Sequence, residues 1–261
     1  MDHLLFAKGL SLQISYYVIN LDDNPERLRA FAAHIQPENI AYERVAAVDG
    51  RHVSPASFPS YSAKAAVAFF GRGLLGGEVA CCLSHIDALN RFMAGDAPYA
   101  IIFEDDAWVA EDFTAKVERA IALFDEKLPG WQLLHLYPRT LRGHSPITAE
   151  GGHTLFAAHE FAVGTAAIVY SRAGAKAVLE TAVPIYAPWD VHLKEVTARH
   201  GKSGAITPAL IQTSDAPSEI AAYGARRSQI KGLRGWWNKR IRVVRHRAYA
   251  IRNLLRYRLK L

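Results

Sequence analysis

The amino-acid sequence predicts an α/β protein built on a mainly parallel sheet. Short apolar runs typical of buried strands alternate with segments in which apolar residues recur at helical spacing. Half of the 261 residues are hydrophobic, which is enough for a sizeable core in one large domain, or in one domain with an appendage. No stretch approaches the ~20 consecutive apolar residues that a membrane-spanning helix needs.

The predicted elements begin and end at recognisable signals. The first strand ends in Asp-Asp-Asn-Pro, which suits a helix start because Asn24 can act as the N-cap and Pro25 fits the first turn. Residues 51–77 are rich in Pro, Ser and Gly and are predicted to be mainly loop, in a position suited to a lid. In chain order, the predicted strands are residues 14–21, 42–48, 99–103, 131–137 and 165–170 with a short strand near 154–156, and the predicted helices start at Pro25 and cover residues 63–70, 78–93, 111–124, 172–181 and 189–200.

Three carboxylates follow the most hydrophobic predicted strand. Residues 99–103 are all apolar, so the strand is predicted to be buried on both faces, and Glu104, Asp105 and Asp106 come directly after it. Because burying an unpaired carboxylate costs several kcal/mol, we expect them where the strand leaves the core, at the edge where α/β sheets bind ligands. Carboxylates suit Mg²⁺ or Mn²⁺, which commonly also bind substrate phosphates. The cluster therefore predicts a divalent-metal diphosphate site, with a solvated acidic turn as the alternative.

Polar residues after the first two strands are candidates for binding a nucleotide. Asn20 lies at the end of the first strand, where a base or ribose would be held. Arg27, in the first turn of the next helix, either binds a phosphate or pairs with the neighbouring Glu26 or Asp23. Asp49 and Gly50 follow the second strand; Gly50 permits close approach of a ligand, although Asp-Gly is also an ordinary turn.

The helix predicted at residues 78–93 carries polar side chains beside an apolar stripe. Glu78, Ser84 and His85 are interpreted as donor-binding residues, against the alternative that His85 is solvated or structural. Cys81 and Cys82 are the only cysteines and are adjacent, so no framework of spaced disulfides exists. They are predicted to pack as small apolar residues in a reducing compartment.

Asp190 opens a later helix directly after the turn Tyr-Ala-Pro-Trp. One interpretation is an acid favoured by the helix dipole. The other is a general base that a rigid turn holds near an acceptor hydroxyl. Trp189 beside it either offers an apolar face to a sugar ring or packs in the core.

The charge of the chain is distributed unevenly. The net charge is +6, yet residues 226–261 contain thirteen Lys or Arg and no Asp or Glu, which leaves 18 basic and 25 acidic residues in residues 1–225. This division predicts a catalytic domain at residues 1–225 and a tail at residues 226–261 that binds an anionic partner.

The tail has the pattern of an amphipathic helix. From Ile230 to Leu259 apolar residues recur three or four apart, basic residues occupy the other faces, and Trp236 and Trp237 stand near the start. This pattern is typical of a helix in a membrane interface, so an anionic membrane surface is the predicted partner. The alternative is that the stripe packs on the domain. A nucleic acid is not expected, because the acidic body would repel its phosphates.

Four segments, taken in order, resemble glycosyltransferase family 25, the bacterial lipopolysaccharide and lipooligosaccharide glycosyltransferases. They are Val-Ile-Asn-Leu-Asp at residues 18–22 with Glu26 and Arg27, Ala-Val-Asp-Gly at residues 47–50, Gly-Glu-Val-Ala-Cys-Cys-Leu-Ser-His at residues 77–85, and Phe-Glu-Asp-Asp at residues 103–106. Gly-Thr-Ala at residues 164–166 and the Asp190 segment also resemble the family. The chain departs from it at residues 80–82, where the family more often has Gly-Cys-Ala.

The resemblance implies a GT-A-like nucleotide-diphospho-sugar transferase fold and a donor that is commonly UDP-galactose. It implies inverting transfer, as by a β-galactosyltransferase, to a lipid-linked oligosaccharide acceptor. Inversion needs one base and no covalent intermediate. In this scheme Glu104 and Asp106 hold Mn²⁺ or Mg²⁺, Asp105 supports them and Asp190 is the candidate base.

The expected location is cytoplasmic, peripheral on the inner face of the cytoplasmic membrane. The N-terminus has an early acid and no basic segment, so no signal peptide is expected. A second function class is a non-catalytic adaptor that binds membrane or nucleic acid through a degenerate α/β body. A third, nucleotidyl or phosphoryl transfer, is disfavoured because no Gly-x-x-x-x-Gly-Lys phosphate loop is present.

Overall fold

A computed structural model of the chain describes residues 12–213 and 232–259, with side chains described at residues 12–213 and 235–259. The strands are β1 Ile14–Asn20, β2 Glu43–Ala46, β3 Tyr99–Glu104, β4 Ala107–Val109, β5 Leu133–His135, β6 His144–Glu150, β7 His153–Ala158, β8 Ala167–Ser171, β9 Ser203–Thr207 and β10 Ile211–Thr213. The helices are α1 Pro25–Ile35, α2 Ala63–Phe70, α3 Gly76–Ala94, α4 Phe113–Lys127, α5 Arg172–Leu179, α6 Trp189–His200 and α7 Gly232–Arg258, with short 3₁₀ turns at Gln36–Glu38 and Pro55–Ser57.

An eight-stranded sheet in the order β2-β1-β3-β8-β5-β9-β7-β6 forms the centre of the fold. Strands β7 and β8 run opposite to the other six, so the sheet is mostly parallel in direction but mixed in pairing. The sequence predicts the mainly parallel α/β class and most of the strands. It does not predict β6, β9 or the small antiparallel sheet of β4 and β10, because these strands are short or polar and depend on their partners for pairing.

Helices cover both faces of the sheet. Helices α3, α5 and α6 pack on one face and α1 and α4 on the other, each with its own apolar cluster. Strand β3 lies between the two layers: Ala100 and Ile102 point to the first cluster, and Ile101 and Phe103 to the second. All four are fully buried, which confirms the prediction of a strand buried on both faces.

The parallel strands β1, β2 and β3 end at one edge of the sheet. The register pairs Asn20 with Ala46 and Ile19 with Glu104, so the carboxyl ends of all three strands lie side by side. This edge is where ligands bind in open α/β sheets. The fold therefore places the acidic cluster after β3 beside the polar residues after β1 and β2.

Helix α7 packs against α2 and α6 through its polar face. Its Arg245 and His246 contact Glu195 of α6 at 3.0 Å (Nη2 to Oε2) and 2.8 Å (Nε2 to Oε2). The Asn253 amide donates to the carbonyl oxygen of Ala198, and the Asn238 amide to that of Val67. The described part of the apolar stripe faces away from the body, which contradicts the alternative that the stripe packs on the domain; Ile230 and Leu233 lie outside the described side chains. The exposed residues of the stripe are Trp237, Ile241, Val244, Ile251, Leu255 and Leu259.

Within residues 12–213 and 232–259, no helix combines the length and the apolar character needed to cross a bilayer.

Candidate active site

A cleft of about 410 Å³ opens between the carboxyl ends of β1 to β3 and the N-terminus of α3. Apolar side chains such as Ile19, Val53 and Leu75 form part of its wall. The structure brings most of the sequence-predicted site residues to this cleft: Arg27, Asp49, Gly50, Ser84, His85, Glu104, Asp105 and Asp106. The cleft thus combines carboxylates, guanidinium groups and apolar side chains, and an anionic ligand bound there needs a cation between it and the carboxylates.

Asp105 is held by two neighbours across the strand ends. The Asn20 amide donates to Asp105 Oδ2 at 2.7 Å, and Arg27 Nη2 lies 3.0 Å from Asp105 Oδ1. Arg27 Nη2 also lies 3.3 Å from Asp106 Oδ2. Pairing of Arg27 with Glu26 or Asp23 is therefore wrong as an alternative, since these acids pair with Arg29 and Arg51. Asp105 supports the cluster while Arg27 is the cation that faces it.

Asp106 is the least compensated of the three acids. Its Oδ1 atom is buried and has no hydrogen-bond partner among the described residues. Burial and then the charge of Glu104 raise the pKa of Asp106 to about 6, with Arg27 opposing the shift. A carboxylate held this way gains most from a cation placed at its free oxygen.

Glu104 ends β3 and faces both His85 and Thr165. Burial acts to raise its pKa, but the attraction of His85, the Thr165 hydroxyl bond and Arg27 together lower it below its usual value. Glu104 and Asp106 therefore offer carboxylate oxygens to one edge of the cleft, the donor set that Mg²⁺ and Mn²⁺ prefer. The unpartnered oxygen of Asp106 fits such an ion.

Two glycines set how closely α3 approaches the end of β2. A Cβ on Gly76 would overlap the carbonyl oxygens of Val53 and Gly50, and a Cβ on Gly50 would overlap Gly76 and Ala80. Close backbone contact brings the N-terminus of α3, whose helix dipole favours anions, into the wall of the cleft. Gly50 therefore acts by shaping the cleft through backbone approach.

Glu78 and Ser84, predicted to bind the donor, make contacts within the protein. Both carboxylate oxygens of Glu78 accept from Arg72, at 2.8 and 2.7 Å, and one also accepts the backbone N–H of Leu75 at 2.9 Å. Glu78 does not line the cleft. Ser84 accepts the N–H of Val48 at 2.9 Å and so fastens the segment after β2 to α3. In this structure both residues hold the walls of the cleft.

His85 lines the cleft, and its ring packs against Trp189, the residue that precedes Asp190. The His85 ring is buried and stacks on Trp189 with centroids 5.3 Å apart and planes 14° apart. The Trp189 ring therefore packs in the core. Burial raises the pKa of Asp190, the Val191 N–H opposes that shift, and the charge of Glu104 adds to it. Asp190 does not line the cleft directly, although it lies within electrostatic reach of Glu104.

Arg51 and Thr165 contact carboxylates of the site and are not predicted as site residues from the sequence. Arg51 lines the cleft and pairs with Asp23 and Asp49, and its hydrogen bonds lower the pKa of Asp49 to about 2. Thr165 bonds to Glu104 from the loop before β8. The signal for Arg51 was its place directly after Asp49-Gly50, and the signal for Thr165 was the Gly-Thr-Ala segment at residues 164–166. The contact of Thr165 with Glu104 depends on β8 lying beside β3, which the sequence does not show.

Comparison with known proteins identifies the family. The family model described as glycosyltransferase family 25 (LPS biosynthesis protein) matches residues 13–193, well over half of the chain. This chain belongs to glycosyltransferase family 25. The match covers the cleft and every sequence-predicted site residue, and it ends before α7.

Curated members of the family are similar to part of the chain. A probable inactive glycosyltransferase 25 family member 3 of Rattus norvegicus is 28% identical over 172 residues, covering 62% of this chain and 29% of that protein. A glycosyltransferase 25 family member of Aedes aegypti is 26% identical over 170 residues, covering 63% of this chain and 27% of that protein. The matched segment thus spans less than a third of the length of these relatives.

Two solved structures show only a distant likeness. A glycosyltransferase involved in the glycosylation of the major capsid of PBCV-1 superimposes with a TM-score of 0.39 at 10% identity, covering 87% of this chain and 98% of that one. The mannose-1-phosphate geranyltransferase of Thermus thermophilus gives 0.32 at 12% identity, covering 75% of this chain and 74% of that one. Both scores are below 0.5, so neither bears on the function of this chain.

Proposed function

We propose that this chain is a metal-dependent, inverting glycosyltransferase with a GT-A-like fold. Its donor is a nucleotide-diphosphate sugar, UDP-galactose in the first instance, and its acceptor is a lipid-linked oligosaccharide of lipopolysaccharide or lipooligosaccharide. The observation that carries the proposal is Asp106, whose buried, unpartnered oxygen lies beside Glu104 in the cleft of a family 25 chain. The rival is a binding module that keeps the cleft without turnover, favoured by the inactive relatives.

Each group of cleft residues would contact a different part of the donor. Glu104 and Asp106 would hold Mn²⁺ or Mg²⁺, which when bound supplies positive charge against the diphosphate leaving group. Arg27 turns a guanidinium toward the same place, and the N-terminus of α3 adds a favourable dipole. The apolar wall receives the base. Asn20 keeps Asp105 fixed so that Arg27 stays oriented.

Asp190 is our candidate for the general base. Inverting transfer needs one group to take the proton of the acceptor hydroxyl as that oxygen attacks the anomeric carbon. Burial raises the pKa of Asp190, and a more basic carboxylate accepts a proton more readily. We expect Asp190→Asn to lower kcat by about 100-fold or more with little change in donor KM. An unchanged kcat would remove Asp190 from the mechanism.

Equilibrium binding of UDP tests the cleft directly. The full chain is titrated with labelled UDP with and without Mn²⁺, and we expect tight binding only with the metal. Asp106→Asn is expected to weaken metal-dependent binding by about 10-fold or more, since one of two metal carboxylates is lost. Asp87→Asn is the matched control, because Asp87 is a half-buried acid on α3 that pairs with Arg91 outside the cleft. Binding that is equal with and without metal would overturn the proposal.

Turnover separates the enzyme from the binding module. A set of UDP-sugars is incubated with the chain and Mn²⁺, and release of UDP is followed with and without an oligosaccharide acceptor. We expect UDP-galactose to be consumed fastest. Metal-dependent UDP binding with no turnover of any donor or acceptor would favour the inactive module.

We also propose that α7 holds the protein on an anionic membrane, peripheral on the cytoplasmic face. The exposed face of α7 carries the apolar stripe, with Trp236 and Trp237 at one end. Five exposed cations flank the stripe along the described helix: Lys239, Arg240, Arg247, Arg256 and Arg258. Aromatic and aliphatic groups enter the interface while the cations meet lipid phosphates, which is the pattern of an interfacial helix.

A bilayer fits this face better than a second copy of the chain. Two such faces would bring cations against cations, and residues 226–261 contain no acid to balance them. The polar face of α7 already contacts α2 and α6, so the exposed stripe is the face left for a partner. A lipid-linked acceptor lies in the same surface, so docking through α7 would bring the protein to the membrane that holds its acceptor.

Vesicle flotation tests the membrane proposal. We expect the full chain to float with vesicles containing phosphatidylglycerol but not with phosphatidylcholine alone, and high salt to weaken this binding. Val244→Ser with Ile251→Ser is expected to reduce flotation by about 10-fold, since both side chains are over half exposed. Leu141→Ser, an exposed apolar residue outside α7, is the control. Absence of flotation, or a dimer that the α7 variant dissociates, would overturn the proposal.

A further inference from the structure

Three side chains with different ligand atoms meet at the floor of the cleft. Cys81 and His85 are four residues apart on α3 and therefore project from the same face of the helix. Glu104 reaches them from the end of β3. One candidate ligand atom from each residue lies within 4.8 Å of the other two, and His85 Nε2 is 3.7 Å from Glu104 Oε1. The fold thus joins a thiol, an imidazole and a carboxylate.

The His85 ring is buried without satisfying either nitrogen. It is only 2% exposed, and neither Nδ1 nor Nε2 has a hydrogen-bond partner in the described part of the chain. His135 and His192, also buried, each bond to a backbone carbonyl oxygen. Burying an unpaired polar group costs about 1–3 kcal/mol. The ring stacks on Trp189, and its Nε2 lies 3.7 Å from Glu104 Oε1.

We infer that Cys81, His85 and Glu104 form a binding site for a borderline-soft divalent ion, with Zn²⁺ as its natural member. One sulfur, one nitrogen and one oxygen ligand suit zinc, and the cleft leaves a fourth position open. Oxygen-preferring Mn²⁺ and Mg²⁺ gain little from a thiolate. On binding, the zinc–sulfur bond replaces the S–H bond of Cys81 and the proton passes to solvent.

The zinc site shares Glu104 with the metal site of the proposed function and in this respect rests on it. Glu104 cannot serve both ions fully, so zinc at Cys81 and His85 competes with Mn²⁺ at Glu104 and Asp106. The consequence is inhibition by zinc of manganese-dependent donor binding. Cys81 then confers a sensitivity to zinc that the acidic cluster alone would not have.

Cobalt provides a spectroscopic probe of the thiolate. The full chain is titrated with Co²⁺, and a thiolate-to-cobalt charge-transfer band is expected, because cobalt adopts zinc-like sites. Cys81→Ser is expected to remove the band and to weaken Zn²⁺ binding by about 10-fold or more. Cys82→Ser is the matched control, because Cys82 Sγ lies 3.5 Å from the Ala187 carbonyl oxygen in the core.

Two results would overturn the inference: a wild-type chain without the band, or a band that survives Cys81→Ser. Asp106→Asn separates this inference from the proposed function. It is expected to weaken manganese-dependent UDP binding by about 10-fold or more and to keep the cobalt band, since Asp106 is not part of the triad. A wild-type chain that binds UDP with Mn²⁺ but shows no band would leave the glycosyltransferase proposal standing and remove the zinc site.

Discussion

At the scale of the residue, Asp106 shows how a binding site costs stability. Its neighbours Glu104 and Asp105 are also acids, and Arg27 is shared between Asp105 and Asp106. Asn20 and Arg27 both contact Asp105. Asp106 is therefore the acid whose charge is least balanced, and its Oδ1 has no hydrogen-bond partner within the described residues. The pKa of Asp106 is raised because its ionised form is poorly stabilised, and this leads to two predictions.

Asp106→Asn is expected to stabilise the metal-free protein at pH 7. The pKa of Asp106 lies near 6 in the folded chain, above its unfolded value, so the ionised group destabilises the fold at higher pH and the penalty fades as pH falls below 6. Removing the charge should raise the free energy of unfolding by about 1–2 kcal/mol after allowance for partial exposure. Urea unfolding in the presence of a chelator measures this difference. A lower stability of Asp106→Asn at pH 7 would contradict the argument.

Binding of Mn²⁺ alone is expected to weaken below pH 6. A metal needs the ionised carboxylate, and Asp106 takes up a proton as pH falls through about 6. The affinity should fall by up to about 10-fold per pH unit between pH 6 and 5 and change little above pH 7. Calorimetric titrations at pH 5, 6 and 7 measure it. Equal affinity at pH 5 and 7 would show that Asp106 is not a ligand.

At the scale of the element, α3 can lie close to the segment after β2 because its first residue, Gly76, has no side chain. The helix begins at Gly76, directly against the carbonyl oxygens of Gly50 and Val53. Glu78 closes the helix start by accepting the Leu75 N–H while Arg72 neutralises it. Because α3 carries Ser84, His85 and Cys81 into the cleft wall, its placement determines the geometry of the whole site.

Gly76→Ala is therefore expected to damage both stability and binding. The added methyl group would overlap two backbone carbonyl oxygens that cannot move independently, so we expect a loss of about 2–3 kcal/mol or more in the free energy of unfolding. UDP binding should weaken as α3 shifts. Gly95→Ala, at the other end of α3, is the control because its nearest neighbour would be 3.7 Å away. Equal effects of both substitutions would refute the close-packing argument.

At the scale of the whole molecule, Glu195 fastens α7 to the body. This buried carboxylate contacts Arg199 of its own helix and Arg245 and His246 of α7. Burial opposes ionisation, but the His246 hydrogen bond and the charges of Arg245 and His246 outweigh it, so the pKa of Glu195 falls to about 2. The ion pairs of ionised Glu195 therefore stabilise the contact between α7 and the body above pH 4.5. This stabilisation is lost as pH falls from 4.5 toward 2.

Glu195→Gln is expected to loosen α7 without altering the cleft. Removing the carboxylate leaves two basic groups at the interface without their acid, at a cost of about 2–4 kcal/mol. Faster amide hydrogen exchange in residues 235–258 is the expected readout, with UDP binding retained. Glu180→Gln, an exposed acid at the end of α5, is the control. Unchanged exchange in α7 would mean that its other contacts suffice to hold the helix, among them Arg242 over the Phe70 ring and Arg245 over the Phe69 ring of α2.

Sequence pattern also predicted much of the fold and site. Apolar runs and caps identified the α/β class, most helices and the buried strand β3, because these features depend on local hydrophobic spacing. The same reasoning placed Asp105 and Arg27 near one ligand, and their ion pair is consistent with that. Donor, metal, acceptor, the role of Asp190 and the division at residue 225 stay predictions.

What the sequence determined by itself is the local order: which segments are buried, where carboxylates leave the core, and that residues 226–261 carry an apolar stripe among cations. Tertiary structure alone decided that Thr165, in the loop before β8, bonds to Glu104 and that Glu78 pairs with Arg72. It also decided that the apolar stripe of α7 faces outward. The physical reason is that residue spacing along the chain determines which face of a helix or strand is apolar. Strand order and ion pairs between distant residues determine which other elements that face contacts.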